Sequence, residues 1–289
     1  MSYTMWILLT ASLVGINCGL VGTFLVLRKM SMLSDAISHS VLLGIVGAYM
    51  ISHHLQGVSM LVGALIVGLL TTFFVQWLHQ KGVQNDAAIG VVFTCLFAIG
   101  VVLISLFADR VHLDVEHALM GEIAFVPWDV LEVGDKSIGP KAIWLLGFVL
   151  AINIFCIVFA YKELKISSFD HEMAVTLGIP VVLIHYVLMG MLSLTTVASF
   201  DSVGAILVVA MLIVPSATAY LWTDRLSVML ICSAFIGVLA SMIGYMIATV
   251  FNVSISGAIA VSTGVIFFIS LWIAPKHGLL RKWLKKSPA

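Results

Sequence analysis

A chain of 289 residues that is 62% hydrophobic and only 10% charged cannot build a water-soluble surface, since an ordinary soluble domain carries about 25% charged residues. Lys and Arg balance Asp and Glu at 14 each, so bulk charge points to no acidic partner, and no nucleic-acid partner is expected. The apolar residues fall in runs of roughly 18 to 25, the length that crosses a hydrocarbon core about 30 Å thick at 1.5 Å per residue. Runs such as Ala87 to Phe107 are apolar on every face, which excludes the alternating strands of an outer-membrane barrel. The expected fold is all-α, a polytopic transmembrane helical bundle.

In chain order, the first span is expected near 4–27. No basic region and no cleavage site precede it, so it reads as a membrane span rather than a removable signal peptide. Further spans follow near 33–51, 58–78, 87–107, 141–161, 181–199, 203–222, 226–250 and 256–274, about nine in all, with eight to ten as the bounds. Basic residues come after every odd-numbered span: Arg28 and Lys29, Lys81, Lys162 and Lys165, Arg225, then Lys276, Arg281, Lys282, Lys285 and Lys286. By the positive-inside rule the N-terminus lies outside and the C-terminus is cytoplasmic. The whole of 1–289 is read as one transmembrane domain, with an outer loop at 108–140, a cytoplasmic segment at 162–180 and a basic tail at 276–289 that suits anionic headgroups.

The outer loop sets Asp109, Asp114, Glu116, Glu122, Asp129, Glu132 and Asp135 against Arg110 and Lys136. Such a loop is either an acidic vestibule that gathers cations or simply solvated. The cytoplasmic segment holds a short helix, with Ser168 or Asp170 near its N-cap, Glu172 in its first turn, and Gly178 then Pro180 as its stop. It reads as a docking surface for another protein or as an ordinary connection between spans.

Ionisable residues inside spans cost roughly 2.5 to 3.5 kcal/mol at the bilayer centre on insertion scales, so each needs a reason. The strongest cluster opens the second span, where Asp35 and His39 are four residues apart and share one helix face, with Ser31, Ser34 and Ser38 nearby. A carboxylate with an imidazole suits a first-row divalent cation, the oxygen favouring manganese and the nitrogen accepting zinc or iron. The plainer reading makes Asp35 a cap and His39 a packing residue. Arg28 and Lys29 set the pair in the inner half of the membrane unless the helix start is broken.

Other candidates carry less. His185 and Asp201, the latter in the outer turn between the sixth and seventh spans, are read as structural or gating groups, and Asp86 as an N-cap. His53, His54 and His79 fall at membrane interfaces, and His112 and His117 in the outer loop. Pro215 should kink the seventh span and serve as a hinge, a pathway lining or a passive bend. Gly15 with Gly19, and Gly44 with Gly47, suit close helix contacts. Cys18, Cys95, Cys156 and Cys232 read as packing residues. The phosphate loop Gly-x-x-x-x-Gly-Lys-[Ser/Thr] is absent from the sequence, so this chain is not expected to be an enzyme, and any ATP is hydrolysed by another chain.

Four stretches resemble one family in the same order: Arg28-Lys-Met-Ser-Met-Leu-Ser-Asp-Ala-Ile-Ser-His39 through Gly44, Asp86-Ala-Ala-Ile-Gly-Val-Val-Phe93, Phe169-Asp-His-Glu-Met-Ala-Val-Thr-Leu-Gly178, and Val203-Gly204 through Pro215 to Ala219. With Pro275-Lys-His-Gly-Leu279 they cover most of the chain. The family is the permease subunits of bacterial zinc, manganese and iron ABC importers. The resemblance implies a permease dimer in the bacterial cell membrane, formed with a second copy or a sister permease. It also implies two cytoplasmic ATP-binding subunits and an extracytoplasmic metal-binding protein, with no resident cofactor. It matches Asp35 and His39 to the family's polar pathway motif and the segment containing Asp170, Glu172 and Gly178 to its coupling helix. In the outer loop, Leu113 to Pro127 leans toward the manganese branch, with zinc and iron open. The competing classes are an ion-coupled secondary metal transporter and, more weakly, an intramembrane metalloenzyme.

Overall fold

A computed structural model describes residues 3–52, 58–107, 123–133 and 136–274. Among them, nine helices are long and apolar enough to cross a membrane. They are α1 (Tyr3–Leu27), α2 (Ser31–Ser52), α3 (Val58–Gln80), α4 (Asn85–Phe107), α5 (Lys141–Phe159), α8 (Val181–Val203), α9 (Ala205–Trp222), α10 (Leu226–Phe251) and α11 (Ile255–Ile273). Two short helices, α6 (Tyr161–Phe169) and α7 (His171–Thr176), lie between α5 and α8. The expected spans match these nine, because hydrocarbon demands internal satisfaction of every backbone group and only an unbroken apolar helix supplies it.

α1 is the central post. Val14, Cys18, Val21, Phe24 and Leu25 are fully buried, and the helix packs against α5, α8, α9 and α10. Apolar side chains gain little by leaving lipid for protein, so close backbone approach has to hold such helices together. The glycines permit it: a Cβ on Gly15 would sit 2.8 Å from the Gly237 carbonyl carbon of α10, and one on Gly22 would sit 1.8 Å from the Leu212 carbonyl oxygen of α9. Hydroxyls then bond across the contact. Ser233 and Ser216 both donate to the Gly19 carbonyl, at 2.8 and 3.2 Å, and Ser241 donates to Ala11 at 3.1 Å. On the α5 side, the Asn17 amide donates to the Leu146 carbonyl, and the Asn153 amide donates to Asn17 Oδ1 at 3.0 Å and to Thr195 of α8 at 2.8 Å.

The second layer is α2, α3 and α4, which pack on one another and meet the rest of the bundle mainly through α8. Gly44 of α2 supports this layer, since a Cβ there would press on Gly63 and Ala64 of α3. Gly47 has no neighbour within 4 Å, so the expected close contact forms at Gly44 alone.

One end of the bundle is closed by a small structure within the loop expected at 108–140. A 3-10 helix (Ile123–Trp128) precedes β1 (Val130–Val133), which pairs antiparallel with β2 (Lys136–Pro140) with an irregularity between Val130 and Glu132. The Tyr3 hydroxyl donates to the Ala124 carbonyl, and Lys141 pairs with Asp129 at 2.7 Å. Gly139 lies against the Trp6 ring with φ of 107°, a conformation and a spacing that exclude a side chain. The acidic residues Asp109, Asp114, Glu116, Glu122 and Asp135, the histidines His53, His54, His112 and His117, and the basic tail 276–289 lie outside the described residues.

A candidate metal pathway and a docking segment

α2 runs unbroken from Ser31 to Ser52. At 1.5 Å per residue, His39 stands roughly 12 Å along an axis that begins beside Arg28 and Lys29. His39 Nε2 and Asp35 Oδ1 are 3.6 Å apart. A cation about 2.0–2.2 Å from each atom would bridge them with an angle somewhat wider than tetrahedral. The two side chains are 38% and 48% exposed, while Leu33, Ala36 and Ile37 of the same helix are buried. The pair therefore stands on the open face of α2 rather than in the core.

The His39 ring is held between Phe93 and Phe97 of α4, each centroid 5.9 Å away. These phenylalanines were not singled out in the sequence, where they sit in an apolar run that gives no sign of which face meets α2. The serines expected around the pair do something else. Ser34 and Ser38 are buried and donate to the Ser31 and Ser34 carbonyls of their own helix, and Ser40 accepts from Thr71 of α3 at 2.9 Å. Among the described residues no group of three or more His, Cys, Asp or Glu comes together, so one chain offers a cation two side-chain ligands at this point.

A second candidate element is built beyond the end of α5, at the end of the bundle where Arg28 bonds Ser167 and Ser168. Asp170 is the N-cap of α7, its carboxylate accepting from the Met173 amide at 2.9 Å, and Glu172 lies in the first turn. Gly178 ends α7 with φ of 73°, while Ile179 donates to Ala174 and Gly178 to Val175, a left-handed closure that favours glycine. Ser168, the alternative cap, belongs instead to α6 and accepts from the Arg28 side chain at 3.1 Å. In α7 only Ala174 is buried, and Phe169, Met173, Val175 and Leu177 are all more than half exposed.

The remaining candidates are dispersed. Asp201 is exposed near the end of α8, before the turn at Gly204 (φ 80°), within electrostatic reach of Asp129 and Lys141. Pro215 is buried inside an uninterrupted α9, next to the Ser216 that bonds α1. His185 of α8 lines a cavity with Arg28. Asp86 is exposed in the first turn of α4, two positions inside the cap at Gln84. His79 contacts the Val83 carbonyl at 3.2 Å and belongs to the α3 terminus. Cys18 is buried, Cys156 and Cys232 are partly buried, and Cys95 is exposed.

Nine helices long and apolar enough to cross a membrane, among the described residues, define a polytopic membrane protein. Residues 1–274 match the ABC 3 transport family. The manganese transport system membrane protein MntD of Bacillus subtilis is 62% identical over 285 residues, covering 99% of this chain and 97% of that one. The zinc transport system membrane protein TroD of Treponema pallidum is 43% identical, covering 97% of this chain and 77% of that one. Among solved structures, PsaBC from Streptococcus pneumoniae in complex with Fab superposes with a TM-score of 0.81 at 35% identity, over 98% of this chain and 96% of that one. The chain belongs to the ABC 3 transport family, and it is a multi-pass permease subunit of the bacterial cell membrane whose ATPase is a separate subunit.

Proposed function

We propose that this permease imports a divalent transition-metal cation into the cytoplasm by alternating access, manganese first among candidates and zinc or iron after it. The observation that carries the reading is the Asp35–His39 pair, half exposed on α2 when a pair serving only to steady the helix would be covered. An intramembrane ionisable pair is otherwise a cost without a return. A relative named for manganese transport at 62% identity and one named for zinc at 43% support the cargo and its order.

Two ligands per chain leave a bound cation undercoordinated, so a second permease, either another copy or a sister chain, would bring its own pair to the same passage. Carboxylate and imidazole would then replace part of the ion's water shell. The whole of 1–289 acts as one membrane domain. The basic residues after odd-numbered spans support an external N-terminus and a cytoplasmic C-terminus. An extracytoplasmic metal-binding protein would deliver the ion at the hairpin end. There Asp201 would gate it, and Pro215 would let α9 bend by leaving one carbonyl without its helical donor. Two ATP-binding subunits would dock on α7, whose exposed Met173, Val175 and Leu177 offer apolar contact and whose Asp170, Glu172 and Gly178 fix its ends.

The test is radioactive manganese uptake into proteoliposomes holding the assembled complex. Asp35→Ala and His39→Ala should each lower uptake at least tenfold while the complex still assembles and hydrolyses ATP. Full uptake by both variants would refute the pathway assignment. ATP depletion should stop uptake and a protonophore should not, the reverse of what a secondary transporter gives.

A further inference from the structure

A cavity of about 350 Å3 is bordered by the α1–α2 connection, α6, the start of α7 and the first turns of α8. Its polar lining carries two cations, Arg28 and Lys29, together with the imidazoles of His171 and His185 and the hydroxyls of Ser167 and Ser168, and no carboxylate is among the described lining residues. Arg28 is the telling member. Its Nε and Nη2 donate to Ser168 and Ser167 at 3.1 and 2.7 Å, and among the described residues it has no acidic partner. A guanidinium has five N–H donors in a fixed fork, so most of its capacity is left for something else.

A cation is normally sheltered from water only when it is paired. Burial pushes the Arg28 pKa down to about 10 with no acidic charge to oppose it, which still leaves the side chain charged at neutral pH. The negative end of α1 offsets part of that cost. The adjoining Lys29 occupies a left-handed position, φ 57°, that a helix ending of this kind ordinarily gives to glycine, and it brings a second positive charge to the rim. Gln76 adds a further unmet demand, since its side-chain oxygen is buried without a hydrogen-bond partner at the same cavity.

We propose that this cavity is a phosphate site, taking the phosphodiester of an anionic phospholipid headgroup or free phosphate. The donors come from the α1–α2 connection, α6, α7 and α8, a spread that suits a tetrahedral oxyanion better than a flat carboxylate, and Arg supplies the bidentate fork. The cavity also borders apolar surface: Phe169 and Val182 are 55% and 60% exposed, so an acyl chain has a place to lie while a headgroup hydroxyl reaches Gln76. The assignment does not depend on which metal is carried or on the role of Asp35.

The experiment measures thermal unfolding of the purified full chain in detergent through its tryptophan fluorescence. One arm titrates inorganic phosphate and another a soluble short-chain phosphatidylglycerol, each against chloride and acetate at equal ionic strength. A saturable rise of several degrees is expected with at least one phosphate source and with neither control. A response to the lipid alone identifies a headgroup site, and a response to both identifies free phosphate as a ligand. Lys29→Gln should weaken the apparent affinity about tenfold, Arg28→Gln should abolish the response, and Lys162→Gln, outside the cavity lining, should keep it. Because Arg28→Gln removes contacts to α6, Lys29→Gln decides the matter if that variant fails to fold. No rise with either source, or the same rise in Lys29→Gln as in the unaltered chain, overturns the proposal. So does an equal rise with acetate, which would point to an acidic side chain of a partner protein.

Discussion

Asn153 shows how a single polar residue is kept in a helix surrounded by lipid. It is fully buried, and its amide nitrogen bonds both Asn17 and Thr195, so α1, α5 and α8 share one knot. Asn153→Leu should lower stability by about 1–3 kcal/mol, because Asn17 Oδ1 and the Thr195 hydroxyl each lose a partner while remaining out of water. A fall in the unfolding midpoint of the detergent-solubilised chain, with Asn153→Gln milder, is the expected result. Gly22 is a stricter case. Gly22→Ala would put a carbon 1.8 Å from the Leu212 carbonyl oxygen, which neither backbone can absorb without α1 and α9 separating. A loss of roughly 1–3 kcal/mol or more follows, read as reduced recovery of folded protein, whereas Gly47→Ala, with open space around it, should be neutral.

Helix ends carry the second set of consequences. Asp170→Ala removes the N-cap of α7 at a cost of about 1 kcal/mol to that helix, and Gly178→Ala forces a side chain into φ of 73° for about another. Neither touches Asp35 or His39. Both variants should therefore bind metal normally yet show uptake several-fold lower per ATP hydrolysed, which parallel assays of the two rates would reveal. The Asp170 cap and the Gly178 stop were legible in the sequence because capping is local chemistry, settled within a few residues. By the same logic Lys162-Glu-Leu-Lys165 gave no sign of α6, which is too polar for a span and has no cap of its own. The β1–β2 pair was overlooked although in the sequence Val130-Leu-Glu-Val133 and Lys136-Ser-Ile138 are separated by Gly-Asp, a dipeptide that favours hairpin connections. Two strands of four and five residues are easily lost in a long polar connection.

At the scale of the whole molecule, the nine spans were readable from hydropathy alone because the bilayer imposes the same demand on every one of them. The arrangement was not. Arg28 meets Ser167 across 139 positions and Asn17 meets Asn153 across 136, and no periodicity records such pairings. The candidate site was half legible for the same reason. The spacing of Asp35 and His39 put both on one face, but only the packing of α3 and α4 fixes that face as the open one and sets Phe93 and Phe97 against the imidazole. If a second permease covers that face, a cysteine replacing Asp35 should be shielded from a water-soluble thiol reagent in the assembled complex and labelled in the lone chain, judged against a background in which Cys95 is replaced by Ser.

The central post also sets the order in which the chain would give way. Hydroxyls of Ser216, Ser233 and Ser241 hold carbonyls of α1 from outside, and Gly15 and Gly22 bring neighbouring backbones into contact with it. Amide protons near Val14 to Phe24 should therefore be the last to exchange for deuterium, by hours, while those of α7 exchange within seconds. Slow and fast kinetics would divide one polypeptide into a fixed frame and the part that another molecule can push.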